Sequence, residues 1–91
     1  MTIMTPEQSR AARGWLGWSQ QQLADKAKVG LSTIRDFEAG RRQPIANNIA
    51  AMRRVLEVSG VRLVEDQDGV AAGIARADAG AIQFTSASDD A

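Results

Sequence analysis

The chain has 91 residues, of which 44% are apolar, so it is one small domain whose single core gives modest stability. Cysteine, histidine and tyrosine are all absent. This excludes a disulfide framework, thiolate metal sites, most zinc chemistry and the commonest general base. The formal net charge of zero is unevenly spread. Residues 1–62 carry ten Lys/Arg against five Asp/Glu, and residues 63–91 carry one against six. A basic front and an acidic tail fit a nucleic-acid-binding module with an appended segment. They fit equally a globule with a solvated tail. No apolar run approaches the ~20 residues needed to span a bilayer, and the first residues lack the regions of a signal peptide, so a cytoplasmic location is expected.

Thr5-Pro6-Glu7-Gln8 is a helix start, with Thr as N-cap, Pro at the first helical position and Gln three residues after the cap. The helix should run to about Leu16 and stop at Gly17. Ser19-Gln20-Gln21-Gln22 repeats the capping pattern, so a second helix runs to about Ala27 with Leu23, Ala24 and Ala27 on its apolar face. A third helix, residues 30–39, ends before Gly40 and turns Ile34 and Phe37 inward. The basic loop Arg41-Arg42-Gln43-Pro44 leads into a fourth helix over about 46–59, with Ile49, Met52, Val55 and Leu56 as its buried stripe and Gly60 as its stop.

Beyond Gly60 the pattern changes. Val61-Arg62-Leu63-Val64 is β-prone, Asp66-Gln67-Asp68-Gly69 is a turn signal, and Val70 to Ile74 can return as a partner strand. From Asp78 the sequence is Ala, Gly, Ser and Asp with one small apolar patch at Ile82 and Phe84, and it is expected to be disordered. The expected division is therefore a helical unit at 1–60, a short β extension at 61–77 and an acidic tail at 78–91. The extension is either a strand that assembles a dimer or an intramolecular hairpin.

The second and third helices form a helix-turn-helix that begins at Gln20. Ala24 falls where the two helices cross and only a small side chain fits. Val29 and Ile34 lock one helix onto the other, and Leu23 and Phe37 complete their small core. The pattern S-Q-x-x-L-A-x-x-x-x-V-x-x-x-T-I-x-x-x-E-x-G, from Ser19 to Gly40, resembles the Cro/phage-repressor (XRE) helix-turn-helix family. The resemblance covers roughly residues 6–64, taking in Arg13, Leu16-Gly17-Trp18, the R-x-x-P loop at Arg41–Pro44 and the AMRRVLEVSGVRLV end. It implies an all-α, four- to five-helix lambda-repressor-like domain with a short C-terminal β extension.

The resemblance also implies site residues. Gln20 matches a glutamine that hydrogen-bonds the DNA backbone and buttresses the reading helix. Leu31, Ser32, Arg35 and Asp36 match the face that enters the major groove, with Thr33 at its edge. Arg35 is the candidate for a bidentate guanine contact, and Leu31 offers only apolar contact to a thymine methyl. Asp36 is repelled by phosphates, so it must accept from a cytosine amino group, orient Arg35 or point away. Arg41, Arg42 and Gln43 match a phosphate-gripping loop, and Asn47 and Asn48 open a helix whose backbone can donate to phosphate. Arg13 and Glu38 match a partly buried structural ion pair. The same residues have plainer readings, with Arg41 and Arg42 as a solvated loop and Ser32 and Thr33 as first-turn capping residues.

The family usually has Gly at the place of Lys28, in a left-handed conformation that costs another residue on the order of 1 kcal/mol. It more often has a Ser or Thr cap where this chain has Gly30, a difference of a few tenths. Trp18 is expected in the core. Trp15 falls on an exposed face, there to cover the C-terminal extension or a second subunit.

The functional expectation is a sequence-specific, double-stranded DNA-binding transcriptional regulator, a homodimer on a palindromic operator. The alternative is an antitoxin-type or other interaction module that binds a protein partner through its C-terminal segment. Without His, Cys or Tyr, no nucleophile-plus-base spacing appears, Gly69 to Gly73 is too loose for a phosphate loop, and neither an enzyme nor a cofactor is expected.

Overall fold

Helices α1 (Pro6–Leu16), α2 (Gln20–Ala27), α3 (Leu31–Glu38) and α4 (Ala46–Val58) are followed by strands β1 (Val61–Glu65) and β2 (Ala71–Arg76). This computed structural model describes residues 3–77. The tail expected at 78–91, with Ile82 and Phe84, lies outside the described residues.

Local chemistry sets the helix boundaries. The Thr5 hydroxyl accepts from the Gln8 amide and the Gln8 side-chain oxygen accepts from the Thr5 amide, both at 3.1 Å. Ser19 and Gln22 exchange the same pair of bonds at 3.0 and 2.8 Å. Each capping box satisfies two amides that a helix start would otherwise leave open. Lys28 ends α2 at φ 59° and ψ 44°, the left-handed conformation, and among the described residues it is the single non-glycine with positive φ. That turn lets the Val29 amide reach the Ala24 carbonyl at 3.0 Å. Gly30 then caps α3 without any side-chain hydrogen bond.

The core is built from one face of each element. Ala12, Leu23, Ala24, Ile34, Phe37, Met52, Leu56 and Val61 are almost wholly shielded from solvent, with Met4 and Leu63 close behind. Ala24 is 1% exposed at the α2–α3 crossing, where any larger side chain would force the helices apart. Val29, Leu31, Val55 and Ile74 pack around this centre. Trp18 covers its edge rather than entering it, with the Lys26 ammonium 5.0 Å from the ring centroid. Trp15 is exposed.

The β extension folds back on itself. β1 pairs antiparallel with β2 in the register Val61↔Arg76 and Leu63↔Ile74, with an irregularity between Val64 and Glu65. The Asp66 carboxylate accepts from the Asp68 and Val70 amides and shapes the turn. Val61 and Leu63 alternate inward to the helical core. The Gln8 side-chain amide donates to the carbonyls of Val64 and Gly73, at 3.3 and 3.0 Å, and clamps the hairpin to α1.

A buried carboxylate ties the helices together. The Glu38 side chain is 1% exposed and receives the Arg13 guanidinium as a fork, with Nη2 2.7 Å from Oε1 and Nε 2.9 Å from Oε2. Ser9 Oγ donates to Oε2 at 2.5 Å, and Gln20 Nε2 donates to Oε1 at 3.0 Å. Arg10 donates to the Glu38 main-chain carbonyl. Three side chains of α1 and one of α2 thus converge on the last residue of α3. Burial on its own would raise the Glu38 pKa; the hydrogen bonds from Arg13, Ser9 and Gln20, with the Arg13 charge, outweigh it and hold the carboxyl below its ordinary value of 4.5.

Two predictions follow from this scaffold. Replacing Lys28 with Gly relieves the left-handed strain and should stabilise the domain by about 1 kcal/mol, raising Tm by roughly 4–8 °C in thermal unfolding. The lowered pKa of Glu38 means its contribution is fully present above the unfolded-state value and is lost as pH falls through the folded-state value. Stability should therefore decline as pH falls below about 4.5, the ordinary value of the carboxyl. Glu38→Gln should flatten the decline and lower stability at pH 7 by about 3 kcal/mol, read by denaturant unfolding across pH. An unchanged pH profile in the variant would remove Glu38 as its source.

Candidate nucleic-acid interface

Helix α3 has two unlike faces. Ile34, Phe37 and Glu38 are buried against α1 and α2, whereas Ser32 and Arg35 are exposed on the opposite side. Thr33 and Asp36 are half-buried beside them, and Leu31 is half-buried with its side chain on the rim of the core. The residues that fasten the helix and those it presents are therefore separate sets, three and four positions apart. At its start, a Cβ added to Gly30 would meet only Thr33 Oγ1 at 3.8 Å and Ser32 Oγ at 3.9 Å, so a side chain fits there.

The end of α3 delivers the basic loop. Gly40 adopts φ 76°, which lets its amide reach the Phe37 carbonyl and the Arg41 amide reach the Asp36 carbonyl, both at 2.9 Å. This is a Schellman stop, and the positive φ is why glycine is needed. The chain doubles back so that Arg41, Arg42 and Gln43 lie exposed beside the presented face. Arg41 Nη1 lies 3.2 Å from Asp36 Oδ1. Helix α4 begins next to this loop, with Ile45 as its N-cap and again without a side-chain cap bond. Ser32, Thr33 and Asp36 of α3, Arg42 and Gln43 of the loop, and Asn48 of α4 line one shared cleft.

Most of the residues expected to touch DNA are thus brought together on one surface. Asn47 is exposed at the α4 start, while Asn48 turns into the cleft. Gln20 stands apart, half-buried on α2 with its amide engaged by Glu38. Asp36 is directed to Arg41, not to Arg35. Sequence reasoning missed Ser9 and Arg10 as partners of Glu38. The signal was there, since Ser9 and Arg13 are four apart and so share a helix face. It also missed Gln8, whose role as hairpin clamp depends on a contact across the fold.

Among the described residues, no helix is long and apolar enough to cross a membrane, and no group of three or more His, Cys, Asp or Glu is placed to hold a metal ion. A comparison with curated proteins finds no match. The family model described as helix-turn-helix matches residues 10–63, more than half of the chain, and spans the buried Arg13–Glu38 pair, the presented face of α3 and the loop after it. Four helices closed by a hairpin, with a two-faced third helix flanked by basic residues, are the structural counterpart of that match; the chain belongs to the Cro/phage-repressor (XRE) helix-turn-helix family of DNA-binding transcription regulators.

Proposed function

We propose that this regulator is sequence-specific and acts as a homodimer, with α3 of each protomer in the major groove of a palindromic operator. The observation that carries the reading is the division of α3. Its buried side is locked by Ile34, Phe37 and Glu38, and its presented side bears Ser32 and Arg35 beside the cleft shared with the loop and α4. In this reading Arg35 supplies bidentate hydrogen bonds to a guanine, Ser32 hydrogen-bonds a base edge, and Leu31 packs on a thymine methyl. Thr33, Arg41, Arg42 and Gln43 hold phosphates, and Asn47 and the first amides of α4 add helix-terminus donors to them. Gln20, fixed by Glu38, keeps a second side-chain N–H for the backbone of the other strand.

One such module covers too little DNA for tight specific binding. Two copies with reading helices ~34–36 Å apart, one turn of duplex, meet that need. The hairpin at 61–77 is the segment this reading gives to the contact between protomers, because among the described residues each of its two strands keeps an edge without a strand neighbour. Occupying an operator in this way would regulate transcription by excluding or recruiting polymerase.

Selection of bound duplexes from a random library tests the reading residues. Arg35→Ala should change the preferred bases, whereas Arg41→Ala should weaken the selected sites and reduce the slope of log affinity against log salt there by about 1. An unchanged preferred site with Arg35→Ala contradicts the assignment. Sedimentation of the full chain with the selected duplex tests the assembly. Two protomers per palindrome are expected, and saturation at one protomer contradicts the dimer.

A further inference from the structure

Asp36 is an anomaly on a helix that approaches phosphates. A carboxylate there meets the negative potential of both DNA strands, screened over only about 8 Å at physiological salt. The structure gives this carboxylate a partner, Arg41, at 3.2 Å. The pairing is built in by the helix stop. Gly40 turns the chain, and the Arg41 and Arg42 amides both donate to the Asp36 carbonyl, at 2.9 and 3.3 Å. Asp36 and Arg41 are thereby held side by side through their main chains before their side chains meet. Arg41 is well exposed, at 71%, so a phosphate can compete for it.

We propose that Asp36 is a specificity-determining residue that acts as an internal rival to phosphate. It holds Arg41 in the free protein and releases it at low cost only where a base amino group takes the carboxylate instead. The proposal rests on the major-groove reading of α3. An exposed ion pair is weak in water, so a phosphate oxygen can displace the carboxylate from Arg41. The discrimination lies in what is left behind. Once Arg41 turns to the DNA backbone, Asp36 remains in the groove without a cation. It regains a partner only where the N4 amino group of cytosine or the N6 amino group of adenine falls within reach. A site whose amino group lies elsewhere across the groove leaves the carboxylate unpaired, and there the original Asp36–Arg41 pair wins. A phosphate contact that would otherwise favour every sequence equally is made conditional on a base.

Binding of the full chain to a random duplex and to its selected operator, across a salt series, tests this with Asp36→Ala, Arg41→Ala and the double variant. Asp36→Ala should bind the random duplex about threefold or more tightly, since it frees Arg41 and removes a like charge. Its salt slope should steepen by about 1, and the ratio of operator to random affinity should narrow. Most of the gain on random DNA should vanish when Arg41 is already Ala, because no arginine remains to be released. A gain of the same size in both backgrounds would make Asp36 a bulk charge and overturn the proposal, as would no gain from Asp36→Ala. Unchanged thermal unfolding of each variant verifies that binding, not folding, is being read. Failure of the unsubstituted chain to bind either duplex would instead defeat the DNA reading on which the proposal stands.

Discussion

The position of α3 depends on one buried carboxylate. Glu38 closes the helix and collects Arg13 and Ser9 from α1 and Gln20 from α2. Apolar packing of Ile34 and Phe37 provides most of the adhesion, but packing is non-directional and tolerates a small rotation of a short helix. The fork of Arg13 on Glu38 does not, because both nitrogens must meet both oxygens in one plane. Such a pair is weak evidence for stability, since taking two charges from water costs much of what their attraction returns. Its effect here is orientation. With the underside of α3 fixed in rotation, the directions of Ser32 and Arg35 are fixed as well.

A second constraint sits at the other end of the same helix. Glycine is required at Gly40, where the main chain must take a positive φ to double back, and that turn sets both the course of the basic loop and the Asp36–Arg41 pairing. At the preceding turn the chain manages without glycine. Lys28 accepts the left-handed conformation, and its charge lies at the negative end of the α2 dipole, a partial compensation. Gly30 accepts a cap without a side chain, so α3 opens without a capping hydroxyl and leaves Leu31 and Ser32 foremost.

Much of this was legible in the sequence because it is local. Capping boxes at Thr5 and Ser19, the glycines after α1, α3 and α4, and the spacing of Leu23, Ala24, Ile34 and Phe37 encode element boundaries and buried faces within a few residues of each other. The hairpin was legible as two β-prone runs around Asp66 to Gly69. Whether they would pair with each other was not, because that depends on Gln8, distant in sequence, reaching two strand carbonyls. The site divided in the same way. Which residues lie on the presented face of α3 follows from helical period. Which cation Asp36 meets does not, since Arg35 is its sequence neighbour and Arg41 reaches it only through the Gly40 turn. Likewise the spacing of Ser9 and Arg13 places them on one face of α1, but only the fold sets Glu38 against that face.

The central claim is that a prebuilt scaffold presents one face of α3 to the groove, with the loop and the start of α4 on the adjoining backbone. The structure of the full chain bound to its selected operator tests it most directly. The account predicts Leu31, Ser32 and Arg35 against base edges, Arg41, Arg42 and Gln43 on phosphates, and Glu38 still holding Arg13, Ser9 and Gln20. A complex in which α3 lies outside the major groove, or in which the Glu38 network breaks on binding, would contradict it.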